Sequence, residues 1–374
     1  MKQVNKIKQV KTTKQSKNVK TKTRIIWICV ATAMFSVMLF GFQRVLMPKY
    51  MSGVFEGLLI GEYYKSSKAH DVIFLGDCEV YDNISPVALW ENFGITSYVR
   101  GSPQQLVWHS YYLLEDTLRY EKPEFVFYSV PAMKQNEPRS EAYNRLTLDG
   151  MRLSPTKLRA LSASMTESEE KITYLLPILR YHDRWRELGS DDFRFFFGSD
   201  RVSHNGYMMR ADIKPADFVP PGAILPGYDF GENAMLYLDK IKDLCEKNEI
   251  TLILIKTPSL HPFWYDEWDE QIISYAEKNN LHYVNSLKMQ DEIGLDFSTD
   301  TYNGGLSLNI FGATKFSNFL GRFLTENFEI TDHRETPKYV EIWDKKRQNY
   351  YEMLQNQISD MEYYGIIKSF TFKP

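Results

Sequence analysis

The first pattern along this chain is an unbroken apolar run. Residues 25–42 carry no charge, and the run continues past Gln43 and Arg44 into Val45-Leu46-Met47. Eighteen such residues span about the hydrocarbon core of a bilayer as a helix. Short apolar runs follow at 72–75, 96–99, 125–130, 251–255 and 282–284, each the length of a strand. Between them, apolar positions three and four apart predict helices over 85–93, 104–119, 232–249, 266–279 and 311–323. A short amphipathic helix carrying Val54, Leu58, Leu59 and Tyr63 leads into the first strand. The stretch 125–130 is almost wholly apolar, the pattern of a parallel strand covered on both faces. Strands separated by single helices predict an α/β fold with a doubly wound parallel sheet.

That rhythm breaks between about 137 and 231, which reads as a large, mostly helical insertion. Thr166 and Glu169 are spaced as a capping box ahead of a helix over 172–185, which Pro177 should kink or break. Phe193, Phe195, Phe196 and Phe197 form an aromatic cluster, and the proline-rich stretch 214–226 is expected to be extended. Such an insertion serves as a packing subdomain or, on the functional edge of a sheet, as binding surface. Near the carboxyl terminus Trp343, Arg347, Tyr350, Leu354, Ile358 and Met361 recur at helical spacing. This final helix is short for a coiled coil, which favours packing on the domain. The expected organisation is a basic tail (1–24), a membrane span (25–47), a main domain (48–330) and a helical extension (331–374).

Charge sharpens the membrane reading. The chain's net charge is −3, but residues 1–24 hold nine Lys and Arg and no acid, so the remainder sums to −3 − 9 = −12. Basic residues before an apolar span place that side in the cytoplasm and the acidic domain outside. No small-x-small cleavage pattern occurs at 43–47, so the segment reads as an uncleaved signal anchor rather than a signal peptide. The tail is expected to be disordered and to touch anionic inner-leaflet lipid. A membrane-proximal basic run beside an acidic folded part disfavours nucleic acid as a partner. Three cysteines are too few for a disulfide framework: Cys29 falls in the span and Cys245 on a core-facing helical position. There is no metal-binding spacing, phosphate loop or dinucleotide fingerprint, so no metal and no cofactor is expected.

Candidate chemistry sits where the first strand stops, at Gly76-Asp77-Cys78. In open α/β sheets ligands gather at the carboxyl ends of strands. Arg100-Gly101-Ser102 closes the second strand, Asn136 lies beyond the third, and Asp300 to Lys315 precedes and opens the last helix. These segments resemble the SGNH/GDSL hydrolase superfamily over roughly 70–135 and 250–325. The resemblance implies a flavodoxin-like three-layer α/β/α fold and puts Cys78 at the nucleophile position, normally serine. Asp77 then belongs to the nucleophile motif, Gly101 matches the second-strand oxyanion glycine, and Asn136 loosely matches the oxyanion asparagine. The closing Leu308-Asn309-x-x-Gly312-Ala313-x-Lys315 frame is the most recognisable. At the positions of its usual His and Asp stand Ser307 and Asn303. Both proton-handling side chains are thus replaced by neutral ones.

The anchor and the insertion make the resemblance closest to the membrane-anchored branch that handles acyl esters on cell-envelope polymers. It implies as partners the bilayer, a polytopic membrane O-acyltransferase, and an envelope polysaccharide or teichoic-acid-like polymer. Two functional expectations remain open. One is an esterase or acyltransferase using Cys78, whose thiolate a helix amino terminus can favour, with His109 or His261 as substitute base; His204 is a more remote candidate. The other is a catalytically inactive relative that binds a glycan or a membrane partner.

Overall fold

A computed structural model describes residues 2–47, 55–190, 192–193 and 202–368, the side chains of 2–20, 55 and 56 excepted. Val54 and the cluster Phe195, Phe196 and Phe197 lie outside the described residues. The chain divides into two compact units: 1–49 with 172–199, and 50–171 with 200–374.

The first unit is built on helix α1 (Lys2–Leu46). Its stretch Thr21–Leu46 is long and apolar enough to cross a membrane, and none of its most apolar window is buried by protein. The basic tail, expected to be disordered, continues the same helix from Lys2. It contains neither Gly nor Pro and is rich in lysine and glutamine, good helix formers. Pro177 does break the predicted 172–185 helix: Lys171–Leu175 is followed by Ile178–Tyr181 and a 3-10 turn, His182–Arg186. Thr166 and Glu169 keep the reciprocal bond of a capping box, the Glu169 carboxylate taking the Thr166 N–H at 2.9 Å, but it closes a turn rather than a helix, and the same carboxylate takes the Asn144 amide at 3.0 Å.

The second unit holds five parallel strands, β1 (Val72–Gly76), β2 (Ser97–Gly101), β3 (Phe125–Ser129), β4 (Thr251–Lys256) and β5 (His282–Asn285). Their order is β2-β1-β3-β4-β5, so the connections reverse direction between β1 and β3. Strands β1, β2 and β3 are buried at every position, which is why they read as continuous rather than alternating runs. The connecting helices are α2 (Cys78–Tyr81), α3 (Pro86–Phe93), α4 (Val107–Thr117), α5 (Glu232–Lys247), α6 (Asp266–Lys278) and α7 (Ile310–Asn327). Ser85 caps α3 and Gly94, at φ 68°, ends it, as the sequence signals.

Helix α8 (Pro337–Tyr364) packs on the domain. Trp343 stacks on Trp90 of α3 at 5.2 Å between ring centroids, and both join the core with Phe74, Phe127 and Phe316. Arg347 pairs with Glu91 at 2.7 Å. Cys245 is buried on α5, as its spacing predicts.

Candidate functional site

Glycine decides how β1 ends. A Cβ on Gly76 would stand 2.7 Å from Ser129 Cβ on β3, so only glycine lets the strands approach there. Its register partner Gly101 lies under α2, where a Cβ would meet Val80 and Tyr81 at 3.1 Å each. The glycine pair thus lets the first turn of α2 fold back over the strand ends. Val80 and Tyr81 cover Gly101 from that side.

Asp77 caps α2, its carboxylate accepting the Glu79 N–H at 3.1 Å. Desolvation, then the neighbouring Glu79, pushes its carboxyl up to about 6. Cys78 follows as a half-buried thiol packed against the core. Burial pushes its pKa well above the ordinary thiol range, and the charges of Asp77, Asp82 and Glu79 push the same way; Lys134 opposes them. The short helix does not offset this, since one turn carries little dipole against nearby full charges. The thiolate expected at a helix amino terminus is therefore suppressed.

Glu79 is buried and binds Lys256 Nζ at 2.9 Å and the Thr257 hydroxyl at 2.5 Å, tying α2 to the end of β4. The Lys256 ammonium also donates to the Thr257 carbonyl at 2.8 Å. Asn83 donates to Ser259 Oγ at 3.0 Å and accepts the Leu308 N–H at 2.8 Å. Asp82 Oδ2 accepts the Ser307 hydroxyl at 3.0 Å and the Tyr302 hydroxyl at 2.9 Å. The turn after β1 and the loop before α7 thus meet in one crevice at the carboxyl edge of the sheet, where the strand order reverses.

The closing loop is built by the residues that made it recognisable. Asn309 caps α7 through the N–H groups of Phe311 and Gly312, at 3.1 and 3.2 Å. A Cβ on Gly312 would collide with the Asp300 carbonyl at 2.4 Å. Lys315 holds the buried Asp300 carboxylate at 2.6 Å. Within this frame Asn303 accepts the Ser307 N–H at 2.7 Å, so the two residues are direct neighbours. Neither side chain carries a base.

The substitute bases are engaged elsewhere. His109 is buried, and burial pushes its pKa down to about 3. Its Nδ1 accepts the Leu106 N–H at 3.2 Å, so the ring serves as a cap for its own helix, α4. His261 Nε2 lies 3.1 Å from the Gly304 carbonyl, and the Leu260 N–H donates to Gly305 at 2.8 Å, fastening the β4 loop to the closing loop. Asn136 accepts from Asn233 and Ala234 N–H at 2.8 and 3.2 Å and so caps α5 from outside. The remaining histidines meet Glu121, Leu179, Met353, Asp71 or, for His282, the Phe328 ring. Among the described residues no histidine is bonded to Cys78.

Asp82, Asn83, Tyr302, Lys256 and Thr257 went unread in the sequence, although they connect the crevice. One signal was available: Asp82 and Asn83 lie four and five residues after Cys78, within reach of the same corner. Tyr302 ionisation is pushed far up, by burial first and then by Asp82. This corner is therefore a buried, hydrogen-bonded acidic network beside the Cys78 thiol, whose pKa burial and the neighbouring carboxylates raise. No protein-family model matches the chain, and no curated protein matches it.

Proposed function

We propose that this chain is a membrane-anchored, SGNH-hydrolase-like protein that no longer hydrolyses esters and uses its crevice to hold a cell-envelope polymer. The strand order β2-β1-β3-β4-β5 supports a flavodoxin-like α/β/α domain. The unburied apolar helix near the amino terminus supports an anchor, and the basic residues before it support a cytoplasmic amino terminus and an extracytoplasmic domain. The partners in this reading are an acylated polysaccharide or teichoic-acid-like polymer and a polytopic O-acyltransferase in the same membrane.

One observation supports the loss of hydrolysis: Asp77, Asp82 and Glu79 act on Cys78 against its thiolate, and among the described residues no histidine is hydrogen-bonded to it. A nucleophile without a base, held in its protonated form, lacks the first step of acyl transfer. The rim favours polymer binding. Phe218 and Phe263 are exposed at 73% and 44%, and the chain at Lys214 and Ala216 bonds to Thr301 of the closing loop and to Phe297 just before it. Exposed rings on segments bonded to the closing loop suit stacking on sugar faces.

The test is release of acetate or D-alanine from O-acylated polymer by the parent protein and by Cys78→Ala. Equal background rates are expected, together with slow iodoacetamide labelling of Cys78 at neutral pH. Release that disappears in Cys78→Ala would restore the esterase or acyltransferase reading. Polymer retention by Cys78→Ala, weakened roughly tenfold by Phe263→Ala, is the positive result expected of a binding groove.

A further inference from the structure

The end of α1 is not left open. Arg184 donates from Nη1 to the Leu46 carbonyl at 2.8 Å and to the Met47 carbonyl, two of the groups orphaned at a helix carboxyl terminus. Its Nη2 pairs with the buried Asp192 at 2.9 Å, and Asp192 also accepts the Gly189 N–H at 2.9 Å. Arg184, Gly189 and Asp192 are thereby pinned to the point where α1 ends. The apolar run 25–42 rises about 27 Å at 1.5 Å per residue, so α1 leaves the hydrocarbon within a turn of that pin.

What the pinned segment exposes is the residue set of a bilayer interface. Leu179, Trp185 and Phe193 are exposed at 50%, 57% and 53%. The Arg180 and Arg186 guanidinium groups lie 5.7 and 5.1 Å from the Tyr181 and Trp185 ring centroids, leaving apolar faces with charged tips. Phe193 also walls an apolar hollow of about 550 Å³ with Phe35, Met38, Phe42 and Val45 of α1. That hollow lies along the apolar run of α1.

We infer that residues 178–193 form an interfacial membrane segment, with Leu179, Trp185 and Phe193 inserted among lipid headgroups and upper acyl chains. The occupant of the hollow is a lipid acyl chain. Residues 178–193 carry three arginines against four acids, a net −1, so attachment is apolar rather than driven by anionic lipid. The inference rests on α1 crossing the membrane, and it makes this part of the insertion a second membrane contact.

The test uses the full chain in phosphatidylethanolamine–phosphatidylglycerol vesicles doped with a diazirine-acyl phosphatidylcholine, with photolabelled peptides mapped by mass spectrometry. Label is expected on α1 and on 178–193, and it should persist when phosphatidylcholine replaces phosphatidylglycerol. Leu179→Glu/Trp185→Glu/Phe193→Glu should cut labelling of 178–193 at least tenfold and leave α1 labelled. Labelled α1 beside an unlabelled 178–193, or label on 178–193 that survives the triple variant, overturns the inference alone. Absence of label from α1 would overturn the anchor itself.

Discussion

The two edges of the sheet hold different ionisable chemistry. At the amino edge two histidines are paired with carboxylates: His70 with Glu121 at 3.0 Å, and His333 with Asp71 at 3.0 Å. At the carboxyl edge a thiol stands among carboxylates with no histidine bonded to it. The amino-edge pairs act as clamps. Glu121 also takes the Tyr63 hydroxyl and the Ala69 N–H, both at 2.7 Å, and fixes the approach to β1. His333 holds the chain before α8 against the start of β1. A His–carboxylate pair is thus no sign of catalysis by itself; which end of the strands carries it decides what it can reach.

The largest expected effect tests whether the carboxyl edge is held together by charge. Lys256→Met leaves Glu79 buried without its cation, which costs about 3–5 kcal/mol. Thermal unfolding in detergent should show a large drop in Tm. Glu79→Leu/Lys256→Met should recover most of it, because the removed pair no longer demands desolvation. An unaffected single variant would mean that the buried pair is not what ties α2 to β4.

The two edges also differ in the sign of their pH dependence. Desolvation raises the pKa of Glu121, but hydrogen bonding and the His70 partner outweigh it and hold the carboxyl down at about 2. Its ionised form therefore stabilises the fold above the unfolded value near 4.5 and loses that contribution as pH falls from there toward 2. Glu121→Gln should cost about 2–3 kcal/mol at neutral pH and little near pH 2. Asp77 behaves in the opposite way. Its folded value of about 6 lies above the usual 3.8, so the folded state binds the extra proton and stability falls as pH rises through that window. Asp77→Asn should gain on the parent protein between pH 4 and 6 and keep the gain above it. Urea unfolding across pH for both variants checks the signs, and parallel profiles would erase the contrast.

Periodicity read what each element faces but not which element it meets. The apolar runs located all five strands, and Gly94 and Pro177 punctuated helices as their backbone chemistry requires. The strand order was not legible, nor was the ion pair between Glu79 and Lys256, whose partners are 177 residues apart. Asn136 illustrates the limit: it caps a helix that begins at Glu232, so its local sequence carries no trace of that task. His109, on the helix after the Gly101 loop, looked able to reach the carboxyl edge, yet its ring turns back onto its own helix. The Asn309–Lys315 frame was legible because its partners are local, and local chemistry built the loop that carries Ser307.

The smallest expected effect asks whether that loop still communicates with the thiol. Ser307→Ala removes one hydrogen bond to Asp82 and leaves the Tyr302 hydroxyl on the same oxygen and the Asn303 bond to the Ser307 N–H. The loss should be about 1 kcal/mol, a fall of about 2–3 °C in Tm. Alkylation of Cys78 should keep its rate, because burial and three carboxylates, not Ser307, hold the thiol protonated. A tenfold change in that rate would show that the Ser307 position still governs protons at Cys78. The two edges would then differ in degree rather than in kind, and the carboxyl edge would have to be treated as an active site again.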